Sequence, residues 1–137
     1  MRNAKFGIEV DGTLNEIIMS NRNFAKDLEE RTKRFAIRIF KMSSYLPNTP
    51  EGRIIKYQIS KSGSSVGANY REANRARIKP DFKSRIGICE SEASETVYWL
   101  EIIVESRMIK KEKIGNLYSE ACELLAIFTS IGKNTKL

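Results

Sequence analysis

No histidine occurs among the 137 residues, and that absence closes more chemistry than any motif present opens. Ser-His and Cys-His nucleophilic pairs cannot be assembled, nor can zinc sites that use imidazole. A di-iron centre in a helical bundle asks for Glu-x-x-His on two helices. Glu92 and Glu95 have the spacing, but the second residue is not histidine. The expectation is a protein with no metal, no cofactor, no small-molecule substrate and no catalytic residues, because acid, base and nucleophile do not come together as a set.

Cysteine is scarce too. Cys89 and Cys122 are the only two, and on an antiparallel helix pair turning near Lys110 their levels differ by about 14 Å, too far to bridge. Free thiols on apolar stripes are expected. Long hydrophobic runs are missing as well: stretches such as Ile102-Ile103-Val104 fall far short of the roughly 20 residues of a spanning helix, and no apolar signal core opens the chain. The sequence reads as cytoplasmic, with no membrane partner.

Only three prolines interrupt the chain, and each falls where a helix turns or starts. Helix 1 is predicted from Asp27 to about Tyr45, stopped by Pro47, with Leu28, Thr32, Phe35, Ala36, Ile39, Met42 and Leu46 on one face. Beside them Arg31, Arg34, Arg38 and Lys41 form a stripe, either a solvated face or a strip of phosphate contacts. Helix 2 starts with Thr49 as N-cap and Pro50 in the first turn and runs to about Ala76. Pro80 opens helix 3, which extends to about Met108 with a core stripe of Phe82, Ile86, Cys89, Ala93, Val97, Leu100 and Val104. Helix 4 covers about Glu112 to Ile131, with Gly132 as its cap. Phe6, Ile8 and Val10 alternate ahead of Asp11-Gly12, a pattern compatible with a short hairpin or with loose packing on the bundle.

Two of the eight glycines, Gly63 and Gly67, stand four apart inside helix 2, where each costs about 1 kcal/mol relative to alanine. Close approach of a neighbouring helix is the compensation expected. A phosphate-cradling loop is excluded, because Ser62 to Gly67 neither follows a strand nor ends in Gly-Lys-Ser/Thr. Asn69, on the same side as Ser62 and Ser65, is expected at a helix interface with hydrogen-bond partners.

What the chain has in abundance is positive charge, +7 in total. Up-and-down connectivity would gather the start of helix 1, the α-helical ends around residues 69 to 85 and the C-terminus. There Arg71, Arg75 and Arg77 outnumber Glu72 by two, Lys79, Lys83 and Arg85 outnumber Asp81 by two, and Lys133 and Lys136 stand unopposed, so six of the seven net charges collect at one end. With Arg31 and Arg34 these cations are the candidate nucleic-acid contacts, suited to phosphate backbones rather than to base reading. Between Ile86 and Ser106, by contrast, Glu90, Glu92, Glu95, Glu101 and Glu105 occur without one basic residue. Glu95 is expected to pair with an arginine of helix 2 or of another subunit. Tyr98 and Trp99, off the core stripe, are candidates for a subunit interface, the alternative being that they pack on the N-terminal segment.

Ser65 to Ala73 (SVGANYREA), Lys79-Pro80-Asp81-Phe82 and Glu95 to Leu100 (ETVYWL), with Arg31-Thr32, Phe35-Ala36 and Leu46 to Arg53 upstream, resemble the bacterial four-helix-bundle proteins first noticed as reading frames in intervening sequences of 23S ribosomal RNA genes. Accessory variability proteins of diversity-generating retroelements form a related branch. The resemblance implies an all-α, up-and-down antiparallel four-helix bundle, often a ring-like homopentamer, without an assigned activity. It divides the chain into an N-terminal extension (1–26), the bundle (27–132) and a short tail (133–137). Lys61 departs from the arginine common in the family, which weakens a bidentate pair there. Residues and resemblance together suggest a non-enzymatic oligomeric bundle that contacts RNA or a nucleoprotein through its basic end. The other reading is a purely structural or protein-interaction oligomer.

Overall fold

Thr49 sets the register of the second helix in the way its position suggests. In the computed structural model, which describes residues 11–137 and their side chains from Ser20 onward, its backbone is extended and its Oγ1 accepts from Gly52 N at 3.0 Å. Pro50 then occupies the first turn, where its missing N–H has no partner to lose. Four helices follow one another in the described residues: α1 (Asp11–Ser43), α2 (Pro50–Asn74), α3 (Lys79–Glu105) and α4 (Lys111–Asn134). Each packs on its neighbours in sequence and α1 also meets α4, so the bundle closes without diagonal pairs.

Two boundaries differ most from the sequence reading. Helix α1 begins at Asp11, sixteen residues before Asp27, so Asp11-Gly12 opens a helix rather than turning a hairpin; Phe6, Ile8 and Val10 lie outside the described residues. The hairpin expectation weighed one turn dipeptide and overlooked that little after it breaks a helix. Helix α4 passes through Gly132 and ends at Asn134, with Thr135 as its cap. Lys83 of α3 explains the extra turn: its Nζ donates to Gly132 O at 2.6 Å and to Thr135 O at 3.0 Å, satisfying terminal carbonyls that a glycine cap would otherwise leave to water. At the other end of α3, Arg107 takes φ 63° and Met108 N closes back onto Ile103 O at 3.1 Å, a helix terminus usually built on glycine.

The core is apolar, with Phe35, Phe128, Ile39, Ile59, Ile86, Leu100, Ile103, Ile114 and Leu124 essentially inaccessible. Tyr70 lies edge-on to Phe128 at 5.4 Å between ring centres. On α3 the innermost residues are Ile86, Cys89, Ala93, Thr96, Leu100 and Ile103; Phe82, Val97 and Val104 are only partly covered. The stripe is thus rotated toward α2 relative to the expected one. A threonine sits at its centre because its hydroxyl is satisfied: Thr96 Oγ1 is 2.8 Å from Glu92 O and 2.9 Å from Ser62 Oγ.

Gly63 and Gly67 lie where α2 crosses α1. A Cβ at Gly63 would stand 2.9 Å from Ile39 Cγ1, and one at Gly67 2.8 Å from Thr32 Oγ1. Cys89 and Cys122 are free, and burial pushes the Cys89 thiol up to about 12, which leaves it protonated and inert.

Candidate nucleic-acid interface

Helix ends decide which cations are available. The last turn of α2, the connection Arg75 to Ile78 and the first turns of α3 place Arg71, Arg75, Arg77, Lys79 and Arg85 on exposed surface at one end of the bundle. A groove there is lined by Glu72, Arg75, Arg77, Asp81, Ser84 and Arg85. Ile78, in extended backbone, caps α3, and Pro80 sits in the first turn where its missing N–H has no partner to lose, so the chain leaves α2 and re-enters a helix within four residues. That short turn holds Arg75, Arg77 and Lys79 close together.

Of the eight cations assigned to this surface from sequence, three are taken up by hydrogen bonds and a fourth, Arg71, lies beside a carboxylate. Arg31 forks onto Glu120 of α4, Nε to Oε2 at 2.7 Å and Nη2 to Oε1 at 2.8 Å, and its Nη2 also reaches Glu123. The hydrogen bonds to these carboxylates hold its guanidinium charged, and the one from Arg31 holds the Glu120 carboxyl below its usual range. Lys83 caps α4 as described. Arg85 donates to Asn69 Oδ1 at 3.1 Å while Asn69 Nδ2 donates to Ser65 O at 2.8 Å, so Asn69 ties α2 to α3. Arg71 stays half exposed, its Nε 3.9 Å from Glu29. Arg34, Arg75, Arg77 and Lys79 have no side-chain ion pair among the described residues.

The opposite end is basic too, which the sum over one end concealed. Lys41, Arg53, Arg107, Lys110, Lys111 and Lys113 gather around the α1–α2 and α3–α4 turns against Glu51, Glu105 and Glu112. Glu90, Glu92, Glu95 and Glu101 of α3, between the ends, pull the total down, so a net charge near one end's sum did not mean a neutral other end.

On the outer side of α3, Glu95 accepts from Trp99 Nε1 at 3.1 Å instead of pairing with an arginine of α2. The i, i+4 spacing within α3 brings the indole within reach, whereas α2 presents no arginine at that level. Tyr98 is 53% exposed and packs edge-on to Trp99 at 4.9 Å. Trp99 itself rests on the core cluster. Burial raises the Glu92 carboxyl, helped by Glu95 nearby and opposed by Lys61. No group of three or more potential metal ligands occurs among the described residues, and no helix of the structure is long and apolar enough to cross a membrane.

These features define an all-helical bundle whose most concentrated surface chemistry is cationic and lies at its ends. Residues 26–130 match the family model of the 23S rRNA-intervening sequence protein, and the chain belongs to that family. It is similar to the crystal structure of a Bacteroides thetaiotaomicron protein of unknown function from the S23 ribosomal protein family, with 33% identity, a TM-score of 0.72, and coverage of 77% of this chain and 98% of that one. No curated protein matches it.

Proposed function

We propose that this chain is a non-enzymatic oligomeric protein of the cytoplasm that holds RNA by its sugar-phosphate backbone at the α2–α3 end, its copies arranged as a homopentameric ring. The observation that carries the reading is the α2–α3 turn, where Arg75, Arg77 and Lys79 are exposed and unpaired among the described residues. Cations left free on a rigid turn suit phosphates, whose neutralisation releases counterions and needs no base contact. Glu95, Tyr98 and Trp99 supply the subunit contact: a half-exposed aromatic pair with a hydrogen-bonded carboxylate suits an interface better than open water. A ring would repeat the cationic turn and add avidity to contacts that are individually weak.

Binding of a structured RNA, followed by fluorescence anisotropy at two salt concentrations, tests the reading. Triple neutralisation, R75Q/R77Q/K79Q, is expected to weaken binding strongly and to reduce the steepness of the logarithmic salt dependence by about 2. Absence of binding at low salt, or binding indifferent to the triple change, returns the protein to the class of structural oligomers.

A further inference from the structure

Arg34, Arg38 and Lys41 follow one another at i, i+4 and i+7 on α1, all exposed, and none is in an ion pair among the described residues. The next position of the same stripe is Tyr45, 78% exposed where α1 gives way to the α1–α2 turn. The eleven steps from Arg34 to Tyr45 rise about 16 Å. Tyr45 also lines a groove with Met42, Met108, Ile109, Lys110 and Lys113, where α1 ends beside the α3–α4 turn. Five cations, an apolar floor and an uncovered aromatic face therefore share one continuous strip.

The α4 carboxylates beside Arg34 and Arg38 are already engaged. Glu120 is close enough to Arg34 and Arg38 for each to lower its pKa, but Arg31 holds both of its oxygens, and Arg31 also takes Glu123. Arg31 so drops out of the strip while leaving its neighbours free.

We infer that this strip is a second RNA surface, specific for single-stranded segments, with phosphates along Arg34, Arg38 and Lys41 and an unstacked base on Tyr45 above the Lys110–Lys113 groove. A polyanion with flat apolar faces matches both halves of the strip, and a base can reach the tyrosine only when it is not stacked in a duplex. The inference rests on the RNA reading above but on residues outside the α2–α3 turn that carries it.

Anisotropy with a labelled oligouridylate of about 12 nucleotides and with a duplex of similar length separates the two surfaces. Y45A is expected to weaken single-strand binding about tenfold, with Y45F near wild type and duplex binding within about twofold. R38Q/K41Q should flatten the single-strand salt dependence by about 1.4. Wild-type affinity of Y45A for the oligouridylate overturns the inference; if R75Q/R77Q/K79Q still loses duplex binding, the basic-end reading stands alone. If the wild type binds neither RNA, both fall. Tyr45 lies outside the core, so loss of fold does not confuse the result.

Discussion

A methyl group added at Gly67 would sit 2.8 Å from Thr32 Oγ1 and 3.3 Å from that residue's backbone carbon, while one added at Gly87 would touch nothing within 4 Å. The two glycines occupy helices of the same bundle, and opposite outcomes are expected of them. Gly67→Ala must push α1 away or displace the Thr32 hydroxyl from Leu28 O and Glu29 O, and should destabilise by about 1–3 kcal/mol. Gly87→Ala, on an exposed helical position, should stabilise by about 1 kcal/mol through helix propensity. Urea denaturation of both variants checks the pair, and a stabilised Gly67→Ala contradicts the close approach. At this scale the sequence was legible where spacing alone decides: two glycines four apart in a helical pattern locate a crossing. It was not legible for Thr96 or Arg31. Thr96 is buried only because Ser62 and Glu92 meet its hydroxyl, and Arg31 is lost to RNA only because α4 brings Glu120 opposite it. Both facts need partners on other helices, which no spacing within one helix reveals.

Helices inherit these residue-level ties at their ends and crossings. Lys83 supports the last turn of α4 across a distance of 49 residues. Lys83→Met should leave two carbonyls without that donor, cost about 1–2 kcal/mol, and raise amide exchange around Gly132 to Thr135 first. Unchanged exchange there would falsify the capping role. The α1–α4 interface, the smallest of the four, depends similarly on Arg31 and Glu120. Because Glu120 is held below its ordinary 4.5 by the hydrogen bond from Arg31, its contribution is present above that value and is lost as pH falls through the lowered folded pKa. The pair is partly exposed, so its worth is about 1 kcal/mol and declines with salt. Glu120→Gln should therefore lower the neutral-pH melting temperature slightly and flatten the acid limb of the stability curve; an acid limb identical to wild type removes the pair from the account. Helix starts at Thr49-Pro50 and Pro80 were readable because proline and capping chemistry are local. The start of α1 and the end of α4 were not, since one depends on a segment without breakers and the other on Lys83.

For the whole molecule, charge distribution and assembly are coupled. Two cationic ends flank the acidic middle of α3, and among the described residues a single chain offers only three unpaired cations at the α2–α3 turn. Repetition in a ring would make the turn effective at moderate salt, since linked weak sites exceed single ones by about 10²–10⁴ when geometry allows simultaneous contact. The aromatic pair on α3 gives a way to remove repetition without touching a cation. Glu95→Lys combined with Tyr98→Glu disrupts the Trp99 hydrogen bond and inserts a charge where half of a tyrosine is exposed. Mass photometry should show loss of the oligomer, thermal melting should retain a folded bundle because neither side chain belongs to the core cluster, and RNA affinity should fall at least tenfold. This variant is one unit more positive than the wild type, so a fall in affinity cannot come from lost attraction. An unchanged mass together with an unchanged melting temperature would place the subunit interface elsewhere. A monomer that binds RNA as tightly as the parent would leave the α2–α3 turn sufficient on its own and the ring without a role in binding.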